Sequence, residues 1–183
     1  MAKNNETKIA IAGFGGQGVV LAGTILAKAA MAEGKAVTGM ISYGAEMRGG
    51  TANTSLVISD DEITSPIVEK PDAAIILNQP SLDKFEKLIT TGGTVIINSS
   101  LAEYSQPRSD LEIATVDATK IAIKLGNIRV ANLVAIGAFI SRTKLVKPES
   151  AAAAIRETFS GKKEKLIEIN IKALQAGIES CKS

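Results

Sequence analysis

The sequence predicts a three-layer α/β/α domain with a mostly parallel sheet and a helical C-terminal third. Three observations carry this. Short β-branched runs alternate with Ala- and Leu-rich stretches through the first two thirds of the chain. The apolar run at 9–12 leads directly into "GFGGQG" (13–18) and then into a helix-like stretch, the order strand, tight turn, helix. From Thr119 onward almost every segment reads as helix. The chain has 183 residues, with no internal repeat and no linker long enough to divide it, so 1–183 is expected to form a single domain.

Each element follows from its own signals. Residues 9–12 are apolar and end in glycine, as a buried parallel strand does. A helix is predicted over 19–33, with Gly34 as its stop, and a second strand over 36–42. Together they read as a βαβ unit of a Rossmann-like sheet. Residues 42–50 are loop-like, and 51–59 have strand character. Further strands are predicted at 73–77, 94–98 and, with weaker patterning, 111–117. A helix over 81–89 has Ser81 as its expected cap. The last third predicts helices at 119–125, 132–143, 148–159 and 162–181, with Asn132 and Pro148 as start signals and Gly161 as a stop. Asp117 and Asn132 read as helix caps. Residues 133–140 are apolar on all sides, which predicts a buried helix. On the final helix, Leu166, Asn170, Ala173, Leu174, Gly177 and Cys181 share one face.

Composition excludes several function classes. Apolar residues make up 45% and charged residues 22%, and the net charge of +2 gives no reason to expect nucleic acid or an anionic membrane. Aromatics are only 3%, with no Trp, so base-stacking platforms are not expected. There is no histidine and one cysteine, Cys181, which excludes an internal disulfide, a Cys/His zinc site, a Cys-ligated iron–sulfur cluster and His-based triads. No metal site is expected on this chain. A lone thiol near the terminus fits a reducing cytoplasm. The uncharged stretch 9–27 is broken by five glycines and Gln17, and the polar start lacks signal-peptide order, so no membrane association is expected.

Two glycine loops stand out. Gly13-x-Gly15-x-x-Gly18 spells a dinucleotide fingerprint, but the acid that holds the ribose is missing: "TGMISY" (38–43) contains none. The missing acid argues against NAD binding and in favour of turn geometry, another anionic ligand or a subunit contact for this loop, and Gln17 at the helix entrance either meets a ligand or caps the turn. The second loop, "YGAEMRGGT" (43–51), follows the second strand. Arg48 there can clamp a carboxylate or phosphate, and Gly49 and Gly50 allow close approach. Polar strand ends at Asn78, Gln79, Asn98, Ser99 and Ser100 are expected on the same side of the sheet.

Taken together, "GFGGQGVVLAGTILAKAA" and "SYGAEMRGGTANTSLVIS" closely resemble the gamma subunit of the 2-oxoacid:ferredoxin oxidoreductases. The likeness continues through "PDAAIILNQPSLDKF", "GGTVIINSS" and "ANLVAIGAFI" in the expected order. It implies a complex that oxidatively decarboxylates a 2-oxoacid to an acyl-CoA and passes electrons to ferredoxin. The 2-oxoacid is expected to be 2-oxoglutarate first, then 2-oxoisovalerate or pyruvate. The complex would use thiamine diphosphate, magnesium, 4Fe-4S clusters and coenzyme A, carried on or with alpha, beta and ferredoxin-like delta subunits rather than on this chain. The matching positions are Gly13, Gly15, Gly16, Gln17 and Gly18 in the first loop, and Tyr43, Gly44, Glu46, Arg48, Gly49, Gly50 and Thr51 in the second. On this resemblance both loops face partner subunits near the cofactor or coenzyme A entrance. Two other readings stay open: a free-standing NAD(P)-binding reductase and a purely structural assembly subunit. Taken alone, the chain could form a homodimer.

Overall fold

β1 (Thr7–Phe14) sets the frame of the molecule because both of its faces are covered. Ile9 and Ile11 pack into a large core on one side of the sheet, and Ala10 and Ala12 into a smaller one on the other. The computed structural model describes residues 6–43, 51–105 and 108–181. The remaining elements in chain order are α1 (Val19–Ala32), β2 (Ala36–Tyr43), β3 (Thr51–Ser59), β4 (Ala73–Ile76), α2 (Gln79–Phe85), β5 (Thr94–Asn98), β6 (Glu112–Val116), α3 (Ala118–Lys124), α4 (Ala131–Thr143), α5 (Pro148–Thr158) and α6 (Ile167–Ser180).

The sheet order is β2-β3-β1-β4-β5-β6. Three of its pairings, β1–β4, β4–β5 and β5–β6, are parallel, while β3 runs antiparallel to both β1 and β2. The βαβ expectation is thereby corrected in one respect. β1 and β2 run in the same direction, but β3 lies between them, so the two glycine loops do not follow adjacent strands. Both still leave from one sheet edge, because Gly13 and Tyr43 are each paired with Ala52. The chain turns from β1 toward β2 and β3 on one side, and later to β4 on the other. The switch point therefore lies between the C-terminal ends of β1 and β4.

The helical layers are unequal. α1, α3, α4, α5 and α6 contribute to the large core, whereas the opposite face is covered by α2, the following 3-10 turn and the loop around Ala102 and Tyr104. α4 is buried along residues 132–140, as its all-round apolar pattern predicts. α1 ends in a Schellman motif: Gly34 (φ +82°) donates to the Met31 carbonyl and Lys35 to that of Ala30.

Several helix starts differ from expectation. α2 begins before Ser81, and its cap is Asn78, whose Oδ1 accepts from the Ser81 N–H at 3.0 Å. Pro80 lacks an N–H and is tolerated in the first turn, which moves the start upstream. Asp117 does not cap α3 with its side chain; its carboxylate instead accepts from Ser99, Ser100 and Lys120. Asn132 lies inside the first turn of α4 rather than at its cap. The final helical segment opens with a 3-10 turn over Gly161–Leu166 before α6.

Candidate functional site

The C-terminal edge of the parallel strands gathers the starts of α1, α2 and α3 around the first glycine loop. Its glycines answer to different constraints. Gly16 (φ +93°) and Gly18 (φ +72°) occupy the left-handed region, which disfavours any side chain. A Cβ on Gly18 would also stand 2.5 Å from Nδ2 of Asn132, and one on Gly13 would stand 2.7 Å from Oε1 of Gln17. Gly15 differs: it has no positive φ, it is exposed, and a Cβ there would meet open space. Nothing within the described chain requires glycine at this apex.

Buried amides hold the edge together. Gln17 Oε1 accepts from the Phe14 N–H at 2.7 Å and from Asn78 Nδ2 at 2.8 Å, and its Nε2 donates to the Leu77 carbonyl at 3.4 Å. Asn98 Nδ2 donates to the same carbonyl at 3.2 Å and to Thr119 Oγ1 at 2.9 Å, and its Oδ1 accepts from the Thr119 N–H at 3.3 Å. Asn132 Nδ2 donates to the Gly18 carbonyl at 2.9 Å. All three asparagines are at least 98% buried, where an unbonded amide would cost about 1–3 kcal/mol, so these bonds account for their presence in the core. Of the polar strand ends, Asn78 and Asn98 thus serve the fold, while Ser99 and Ser100 meet Asp117 and lower its pKa, the Ser99 hydroxyl contributing most.

Beside the loop lies a cleft of about 170 Å³ lined by Gly16, Gln17, Leu101, Thr119, Ile128 and Arg129, with Ala131. Leu101 and Ile128 are exposed apolar side chains at this edge. Among the described residues no ion pair engages Arg129. A flexible cation beside exposed glycine backbone and a threonine hydroxyl suits an anionic group, a phosphate or a carboxylate. Sequence reading missed Arg129 and Thr119, which lie more than a hundred residues beyond the loop; the faint signal was "NIR" (127–129), polar and basic, just before the buried helix.

Of the second loop, Gly44, Glu46, Arg48, Gly49 and Gly50 lie outside the described residues. The backbones of Tyr43 and Thr51, which flank them, stand at the same edge as Phe14. The place beside β1 that a ribose-binding strand would take is held by β3, with Thr51, Ala52 and Asn53 against the loop end and no acid among them. Among the described residues no group of three Asp, Glu, Cys or His side chains could hold a metal ion, and no helix is long and apolar enough to cross a membrane.

A family model described as pyruvate ferredoxin/flavodoxin oxidoreductase matches residues 8–180, which takes in both loops and the cleft. The chain belongs to this family. Within the pyruvate ferredoxin/flavodoxin oxidoreductases, it is 41% identical over 175 residues to the ketoisovalerate oxidoreductase subunit VorA of Methanothermobacter thermautotrophicus, covering 95% of this chain and 36% of that one. It thus spans about a third of that relative's length. The 2-oxoglutarate synthase subunit KorC of Methanocaldococcus jannaschii is 38% identical over 181 residues, covering 96% of this chain and 94% of that protein. Among solved structures, the gamma subunit of a keto/oxoacid ferredoxin oxidoreductase from Geobacter sulfurreducens superposes with a TM-score of 0.82 at 32% identity, covering 96% of this chain and 98% of that one.

Proposed function

We propose that this chain is the gamma-type subunit of a multi-subunit 2-oxoacid:ferredoxin oxidoreductase. Such an enzyme oxidatively decarboxylates a 2-oxoacid to an acyl-CoA and passes the electrons to ferredoxin. The observation that carries the reading is the family match over residues 8–180, together with relatives named as subunits of such enzymes. The 2-oxoacid is 2-oxoglutarate in first place, supported by the nearly end-to-end similarity to KorC, then 2-oxoisovalerate, supported by VorA, or pyruvate. The partners are alpha, beta and ferredoxin-like delta subunits in the cytoplasm, with ferredoxin as the acceptor.

The chemistry of this chain's residues assigns the redox work elsewhere. A 4Fe-4S cluster needs thiolates that a sequence with one cysteine cannot supply. Among the described residues no group of three or more Asp, Glu, Cys or His side chains could hold a metal ion. What the chain can offer is the glycine-loop edge: outward-facing Gly15 and Gly16, the cleft beside Arg129, and the second loop with Arg48. In this reading the edge meets coenzyme A, the 2-oxoacid or a partner subunit and shapes the approach to the active site. A purely structural assembly role is favoured by one observation, the exposed Met31 and Ile41 lining an open, mostly apolar groove between α1 and β2, a surface suited to a protein contact.

The test is anaerobic affinity purification of the chain with its partners, followed by 2-oxoacid- and CoA-dependent reduction of a viologen dye. A thiamine-binding chain and a cysteine-rich chain should copurify, with activity on one 2-oxoacid. In the reconstituted complex Arg48→Ala should raise the apparent KM for CoA or the 2-oxoacid about tenfold, the effect of losing a charge-assisted hydrogen bond. Unchanged assembly and unchanged KM values would remove Arg48 from that role.

A further inference from the structure

Gln17 carries the one polar side chain between Gly13 and Gly18, and both ends of its amide turn inward. Oε1 receives the Phe14 N–H and Asn78 Nδ2 at 2.7 and 2.8 Å, and Nε2 reaches the Leu77 carbonyl at the longer distance of 3.4 Å. Its two anchors are themselves fixed. Asn78 caps α2 through the Ser81 N–H, and the Leu77 carbonyl also receives Asn98. The absence of a side chain on Gly13 is what admits Oε1, since a Cβ there would stand 2.7 Å from it.

We infer that Gln17 is a positioning residue, whose amide ties the glycine loop to the end of β4 and fixes the conformation in which Gly15 and Gly16 face outward. This rests on the reading that the edge meets a ligand or partner. Two residues at positive φ, Gly16 and Gly18, leave a short loop unusually free, and glycine loses more conformational entropy on ordering than any other residue. A side chain that already holds the loop lowers the ordering cost of whatever docks on the apex. A direct ligand contact would instead use the remaining Nε2 proton, and the two roles predict different behaviour.

The experiment is a double-mutant cycle of Gln17→Met and Asn78→Ala in the reconstituted complex, with amide exchange of Phe14 followed in the full chain. Gln17→Met keeps the length and removes both acceptor bonds. It should raise the KM for CoA or the 2-oxoacid severalfold with little change in kcat, and speed exchange of the Phe14 N–H by about tenfold. The two effects should be less than additive, because both substitutions break the Gln17–Asn78 bond, while Asn78→Ala alone also removes the α2 cap and Gln17→Met alone the bonds to Phe14 and Leu77. Gln17→Glu, whose carboxylate keeps both acceptor bonds, should leave Phe14 protected, and it serves for comparison if Gln17→Met does not fold. Additive effects in the cycle, or unchanged Phe14 exchange in Gln17→Met, would overturn the inference. Faster exchange with assembly and kinetics unchanged would overturn instead the contact reading on which it rests, so the two failures are told apart.

Discussion

Arg108 ties down the thinner helical layer with a set of charge-assisted bonds. Its Nη2 and Nε meet the two carboxylate oxygens of Asp110 at 2.6 and 3.0 Å, and its Nη1 donates to the Glu86 and Ile89 carbonyls at 2.7 and 3.1 Å. Those carbonyls belong to the first residue of the 3-10 turn after α2 (Glu86–Leu88) and to the residue just past it, so one side chain spans the turn. The Arg108 guanidinium, then the Thr91 hydroxyl, hold the Asp110 carboxyl down at about 2 from its ordinary 3.8. A depressed folded-state pKa contributes stability that is complete above the unfolded value and is lost as pH falls through the folded one. Asp110→Asn should therefore lower Tm at neutral pH, and the gap from the unsubstituted protein should close between about pH 4 and pH 2; a pH series of thermal melts checks this. Cys181 is half-buried against the core, and burial pushes its thiol pKa up, in keeping with an unreactive cysteine. The residue scale is also where sequence reading was least secure. Ser81 is the cap its residue type suggests, but Asn78, three residues earlier, takes that place, and Gln17 was legible as a ligand contact or a turn cap but not as bonded to Asn78 and Leu77, because only the neighbouring strand end supplies those partners.

α4 and α6 meet through glycine. A Cβ on Gly137 would collide with the Leu174 carbonyl oxygen, and one on Gly177 with that of Val134, so the two backbones touch with no room between them. Neither obstacle is a flexible side chain that could move aside. Gly177→Ala should cost about 3 kcal/mol, at the upper end for overpacking, whereas Gly34→Ala, strained by φ +82° but facing open space, should cost about 1 kcal/mol; urea unfolding of the two variants measures the difference. The strands and helices themselves were largely readable, because each declares its buried face by periodicity: β3 and β5 match the predicted 51–59 and 94–98. The apolar face of α6 also agrees, with Asn170, Ala173, Leu174 and Gly177 buried. What periodicity does not carry is the partner, so Gly177 could be placed on that face without its contact to α4 being known.

At the scale of the molecule, the two cores share strands. Ile9 and Ile11 belong to one and Ala10 and Ala12 to the other, on the same eight residues of β1, and β4 and β5 are likewise split between them. Neither core can dissolve while leaving the other intact, so unfolding should be a single transition. Tyr104 packs on the smaller core, and its fluorescence should report the same urea midpoint as far-UV circular dichroism; separated midpoints would show that the α2 layer melts alone.

By itself the sequence determined the alternation of strands and helices, the turn demanded by Gly13–Gly18, the burial of α4 and the family to which the loops point, because glycine geometry and apolar period act over a few neighbouring residues. Only the tertiary structure decided the rest. β3 sits between β1 and β2, Asn132 holds Gly18, and Arg129 and Thr119 come to the rim of the first loop. These depend on which distant faces fit one another, and packing and hydrogen-bond energies across more than a hundred residues leave no periodic trace in the chain.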